Sequence, residues 1–124
     1  MRPTKFCAAG GHSAALYKTF AASARVAFDD AADFARNDVF KAARGGRFSD
    51  LPVWIDGGRN DPFHDADATF ASLLRTRGGD VTYHVWPGRH APSYWRAHVA
   101  AYLRFYASAL AHCSPGRGVA QQEP

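Results

Sequence analysis

Two short apolar runs, Val53-Trp54-Ile55 and Val81 to Trp86, flank a segment in which Phe70, Leu73 and Leu74 recur at helical spacing. The pattern predicts strand, helix, strand, with Asp65 or Asp67 capping the helix and Gly78-Gly79 ending it. A connection of that length makes the two strands parallel and the crossover right-handed. Further upstream, Ala14 to Ala24 is Ala-rich, carries Leu16, Tyr17 and Phe20 at helical spacing, and predicts a helix. The stretch AFDDAADFARNDVFKAARGG predicts another, capped by Asp29 or Asp30, with Lys41 and Arg44 in its last turn and Gly45-Gly46 as its stop. Its apolar stripe, Ala31, Phe34, Ala35 and Val39, is expected to face the core. A final helix begins near Ser93 and carries Trp95, Val99, Tyr102, Leu103, Tyr106 and Leu110 on one face. Thr4 to Ala9 is a candidate third strand ended by Gly10-Gly11. From Ser114 the chain turns polar and Gly/Pro-marked, and residues 114–124 are expected to form a disordered tail. These elements predict an α/β fold: a short parallel sheet of about three strands flanked by helices.

Composition narrows the picture further. The 124 residues suffice for one domain, and a chain of that size removes roughly two-thirds of its unfolded surface from water. Apolar residues make up 47% and charged residues 21%, so a packed core is expected rather than disorder. The net charge of +4 is scattered, without the basic runs interleaved with aromatics that nucleic-acid binding favours. No apolar stretch is long enough to span a membrane, and the first residues lack the apolar segment of a signal peptide, so the expected compartment is the cytoplasm. Cys7 and Cys113 match no metal or redox spacing and are read as two unpaired thiols, with pairing left open.

The chemistry concentrates between Leu51 and Val99. Asp61 lies in Gly58-Arg59-Asn60-Asp61-Pro62, a few residues past one strand, and His90 in Pro87-Gly88-Arg89-His90, just past the next. Reacting groups of open α/β sheets gather at the carboxyl ends of strands. A carboxylate accepting from an imidazole N–H fixes its tautomer and stabilises the imidazolium formed when the ring takes a proton. Asp61 and His90 are therefore the expected acid and base.

The segments FDDAADFARNDVF, PVWIDGGRNDPF and PGRHAPSYWRAHVAAYLRFY resemble the C-terminal half of bacterial α/β-hydrolase-fold esterases of the esterase D-like type. The resemblance runs from about Ala27 to Leu110. It implies that residues 1–113 are the C-terminal half of an α/β-hydrolase domain, with an open sheet edge where upstream strands would pair. It also implies a serine esterase working through an acyl-enzyme, with a catalytic triad that includes Asp61 and His90, a small-molecule ester as substrate and no cofactor. The family's Gly-x-Ser-x-Gly elbow is absent. Gly11-His12-Ser13-Ala14-Ala15 is the nearest approach, so Ser13 is the candidate nucleophile. Ser13-Ala14-Ala15-Leu16 also matches a family segment that follows the next strand, and Ser13 can equally cap the Ala-rich helix. His12 beside it is read as a loop or pocket-wall residue.

Phe63, Tyr94 and Trp95 are candidate substrate-binding residues, with a core role as the competing reading. Three further expectations stand beside the esterase. The chain is a non-catalytic remnant or interaction module that lacks nucleophile and oxyanion hole. It forms a homodimer through the open edge. Or His64, Asp65, Asp67, His84 and His90 assemble a metal site, a reading disfavoured by their spacing.

Overall fold

The computed structural model describes residues 6–23, 26–49 and 51–113. Three parallel strands, β1 (Ala9–His12), β2 (Pro52–Gly58) and β3 (Asp80–Trp86), lie in the order β1-β2-β3. The helices are α1 (Ala31–Asn37), α2 (Val39–Gly45), α3 (His64–Thr76) and α4 (Pro92–Ala111). The described residues thus form an α/β fold, with a three-stranded parallel sheet flanked by helices.

Side chains alternate across β2, and the two faces do different work. Val53 and Ile55 pack with Ala43, Leu51, Ala71 and Leu74 in an apolar core between the sheet and the α2–α3 layer. Trp54 and Asp56 project to the opposite face, where α4 covers them. On the core side an apolar cavity of about 570 Å³ opens between β1, α2 and α3, bordered by Gly11, Leu16, Val39, Phe48 and Phe70. No strand pairs with the outer edge of β1 among the described residues.

Several expectations change in detail. The first strand does not stop at Gly10-Gly11 but runs through them, in register Ala9↔Val53 to His12↔Asp56. Glycine suits this strand because the Tyr106 hydroxyl lies against Gly10 while Ala14 and Ile55 crowd Gly11. Thr4 and Lys5 of that expected strand lie outside the described residues, as does the expected disordered tail, 114–124.

In the described part of Ala14 to Ala24 there is only a 3₁₀ turn, Ala21–Ser23. Ser13 takes a left-handed φ of 55°, and the aromatics that suggested a helical face go to separate partners. Tyr17 packs on Phe28 and Phe63, and Phe20 on Phe34. Tertiary anchoring overrides alanine's helix propensity here.

The next expected helix is two helices. Asp38 adopts an extended ψ of 101°, ends α1 and caps α2 by accepting from the Lys41 N–H, while Asp30 caps α1 through the Asp33 N–H. The break turns Phe40 and Ala43 inward and leaves Ala31, Ala35 and Val39 exposed. Neither Asp65 nor Asp67 caps α3, whose N-cap is Phe63. On α4 the buried positions are Tyr94, Tyr102 and Ala109, whereas Val99, Leu103 and Leu110 are exposed. No described helix is long and apolar enough to cross a membrane.

Cys7 and Cys113 are joined in a disulfide, with Cα atoms 5.3 Å apart, contrary to the reading of two unpaired thiols. Folding brings the start of the sheet beside the end of α4, a proximity that linear spacing conceals. The bridge closes a 106-residue separation and so restrains the unfolded chain strongly, on the order of 4–5 kcal/mol by loop entropy. Cys7→Ser or Cys113→Ser is expected to lower the urea midpoint by a corresponding amount. Thiol titration of the denatured, unreduced protein checks the premise: two free thiols per chain would refute it.

Candidate functional site

The site is built where β2 and β3 end. Beyond the last paired residues, Gly58↔Trp86, the two loops stay bonded to each other: Arg59 N–H donates to Trp86 O at 2.8 Å and Asn60 N–H to Gly88 O at 2.9 Å. Gly58 lies against the Gly88 carbonyl so closely that no Cβ would fit. Gly88 itself has φ of +143° with the Tyr94 ring pressed on it, so a side chain there meets both strain and collision. These contacts hold the Asp61 loop and the His90 loop side by side.

His90 Nδ1 lies 2.9 Å from Asp61 Oδ2. The carboxylate only accepts, so Nδ1 carries the proton and Nε2 is the basic nitrogen. Asp61's side chain is buried, and its Oδ1 accepts from the Phe63 N–H at 2.8 Å. The imidazole is about one-third exposed, at 34%. Phe63 and Trp95 pack edge-on against it, with ring centroids 5.2 and 5.5 Å away.

Ser13 joins this pair from the carboxylate side. Its backbone N–H donates to Asp56 O at 2.7 Å, its hydroxyl donates to Asp61 Oδ2, and Oγ stands 3.3 Å from His90 Nδ1. It therefore meets the imidazole at the nitrogen that Asp61 already engages. Among the described residues nothing hydrogen-bonds His90 Nε2.

The three candidate substrate-binding aromatics separate. Phe63 and Trp95 border the His90 ring, while Tyr94 does not line an open surface: it is 3% exposed and its hydroxyl donates to Asp56 Oδ2 at 2.7 Å. A charged residue inside an apolar strand was the signal for Asp56, which sequence reasoning passed over. Fully buried, its carboxylate accepts from Trp54 Nε1 (2.7 Å), His12 Nδ1 (3.0 Å), Tyr94 (2.7 Å) and Tyr102 (2.9 Å). Burial alone would raise its pKa, but the four donors outweigh that and hold it below the usual carboxylate range. Burial, together with bonding to Asp56, pushes both tyrosine hydroxyls well above their ordinary value, so they stay protonated donors.

Asp67 is the opposite case. It is fully buried on α3, neither carboxyl oxygen has a hydrogen-bond partner among the described residues, and Oδ2 rests against Gly57. Burial, reinforced by the charges of Asp61 and Asp56, lifts its pKa to about 8. It is a neutral acid at neutral pH. The residues of the disfavoured metal reading are engaged elsewhere: His64 bonds Asp65 on the surface of α3, and His84 stacks on Trp86. Among the described residues no three His, Cys, Asp or Glu side chains are grouped to hold a metal ion.

Asp67 makes a signed prediction. Its folded pKa exceeds that of the unfolded carboxyl, so the native state keeps a proton that the unfolded chain releases above about pH 4. The stability it permits is complete below that pH and is lost as pH rises to about 8. Asp67→Asn should remove a slope of roughly 1.4 kcal/mol per pH unit across this window. Urea unfolding of both proteins at pH 5 and pH 8 tests this, and parallel pH dependences would sink the assignment. No family model matches the chain, and no curated protein matches it.

Proposed function

We propose that this chain carries the acid–base machinery of a carboxylic ester hydrolase of the serine esterase kind, within part of an α/β-hydrolase fold. The Asp61–His90 pair supports the reading: a buried carboxylate on Nδ1, a partly exposed ring and an Nε2 with no bonding partner among the described residues. In such a reaction Nε2 takes the proton of an attacking hydroxyl as it adds to the ester carbonyl, then returns it to the leaving alcohol. Asp61 holds the tautomer and stabilises the imidazolium. Phe63 and Trp95 flank the ring and offer apolar contact to the ester.

Geometry gives Ser13 a different part from the nucleophile. A hydroxyl that donates to Asp61 and faces Nδ1 cannot deliver its proton to Nε2, which lies on the other side of the ring. Ser13 is a positioning residue for Asp61, and the attacking oxygen must approach from the exposed side of His90. That same vacancy of role favours a second reading, a non-catalytic remnant or interaction module that retains the fold. The edge of β1, unpaired among the described residues, and the apolar cavity beside it suit a homodimer under either reading. The disulfide favours an oxidising compartment over the expected cytoplasm.

Hydrolysis of p-nitrophenyl acetate separates the readings. His90→Ala and Asp61→Asn are expected to lower kcat/KM by about a hundredfold or more, and Ser13→Ala by distinctly less. A loss in Ser13→Ala equal to that in His90→Ala would restore Ser13 as the attacking group. An inactive parent protein would leave the remnant.

A further inference from the structure

A second carboxylate–imidazole pair stands one strand away from the first, and the proposed esterase does not use it. Asp56 Oδ1 engages His12 Nδ1 at 3.0 Å, and His12 Nε2 lies 2.8 Å from the Tyr106 hydroxyl. The carboxylate is acceptor-only, so Nδ1 bears the ring proton and Nε2 accepts from the phenol. Carboxylate, imidazole and hydroxyl thus stand in the order that activates a hydroxyl nucleophile, with a phenol in the place of an alcohol. The Ser13 hydroxyl faces the occupied nitrogen of its histidine, whereas Tyr106 faces the basic one.

From this geometry we infer that Tyr106 is an acyl-accepting nucleophile, with His12 as its general base and Asp56 orienting the base, acting on activated esters that have apolar groups.

The surroundings fit that chemistry. His12 is held in place by Tyr102, whose ring centroid lies 3.8 Å from its own, and by the strand pairing of β1. The imidazolium formed during transfer would sit on a carboxylate already kept ionised by three further donors. Access is from solvent: His12's side chain is 23% exposed and Tyr106 is half-buried. Leu103 and Leu110, about one turn to either side of Tyr106 on the same face of α4, are 64% and 65% exposed and make that face of the helix apolar. Burial and the nearby Asp56 charge raise the Tyr106 phenol above its ordinary value, so it reacts through base-assisted proton removal and not as a standing phenolate. In the step itself the Tyr106 oxygen bonds to the ester carbonyl carbon and the carbon–alkoxide bond breaks. The phenolic proton passes to His12 Nε2 and then to the departing alkoxide, leaving an O-acyl tyrosine and a free alcohol. Water attacking that aryl ester, with His12 again as base, would release the acid and regenerate the phenol.

Brief exposure of the intact, oxidised protein to p-nitrophenyl acetate, followed by peptide mapping in a mass spectrometer, tests the inference without relying on turnover. Acetyl is expected on Tyr106 at least tenfold faster than on Tyr17 or Tyr83. His12→Gln should erase that preference, and Tyr106→Phe should leave no acetyl at position 106 while keeping the ring packing. Within the parent protein, labelling of Tyr106 should level off with rising pH, because a fixed base and not hydroxide takes the phenolic proton. An unassisted phenol would instead gain about tenfold per pH unit until it ionises. Should His12→Gln fail to fold, this pH profile and the Tyr106-to-Tyr17 ratio decide. Acetylation of Tyr106 no faster than that of Tyr17, or a profile that keeps climbing with pH, overturns the inference.

Discussion

A single carboxylate ties the layers of this protein together. Asp56 emerges from the middle of the sheet on the α4 side and gathers donors from β1, β2 and two turns of α4. A buried charge is tolerated only when its lone pairs are taken up, and here all four donors reach it at 3.0 Å or less. The same residue's backbone carbonyl receives the Ser13 N–H, which sets the exit of β1 toward Asp61. Loss of this side chain would strand the buried hydroxyls of Tyr94 and Tyr102 and free His12. The docking of α4, the orientation of His12 and the path of the first loop therefore share one anchor.

Two consecutive glycines let the remaining machinery close around that anchor. Gly57 admits Asp67 from α3, and Gly58 admits the Gly88 carbonyl of the His90 loop. Close approach has an electrostatic consequence: three carboxyl groups, Asp56, Asp61 and Asp67, become buried within a short span of chain. Their environments divide them by role. Asp56 is saturated with donors and ionised; Asp61 shares its charge with His90, Ser13 and a backbone amide; Asp67 has no donor among the described residues and keeps its proton. A neutral Asp67 spares the Asp61–His90 pair a further negative charge in a region poorly screened by water.

Much of this was legible in the sequence, and the gaps have physical causes. Asp61 and His90 could be located because each follows an apolar run with glycine-rich punctuation, which marks strand ends. The parallel sheet followed from the helical spacing between those runs. The face of α4 was harder, because a tyrosine counts as apolar in a periodic pattern yet is placed here by its hydroxyl: Tyr94 and Tyr102 turn toward Asp56 and leave Leu103 and Leu110 outside. The Ala-rich segment after Ser13 misled for a related reason. Propensity describes an isolated stretch, whereas Tyr17 and Phe20 are fixed by distant rings. Asp38 breaking one expected helix into two was visible in principle, since Asn37-Asp38 is a natural stop and cap. The disulfide was not, because only the folded chain brings Cys7 beside Cys113.

The two imidazole–carboxylate pairs differ in what occupies the far nitrogen, and that difference governs what each can do. At His90 the ring is about one-third exposed beside Phe63 and Trp95, and its far nitrogen has no hydrogen-bond partner among the described residues, which leaves it for an external hydroxyl or water. At His12 the far nitrogen is already engaged by a phenol from α4, so the hydroxyl it can assist first is one that the chain itself supplies. Both carboxylates depend on one strand: Asp56 lies within β2, and Asp61 follows its last residue after a tight loop. Fixing β2 between β1 and β3 therefore fixes both bases at once, and any movement of the β1 edge would be felt first at His12 and Ser13, the residues through which the two sites meet.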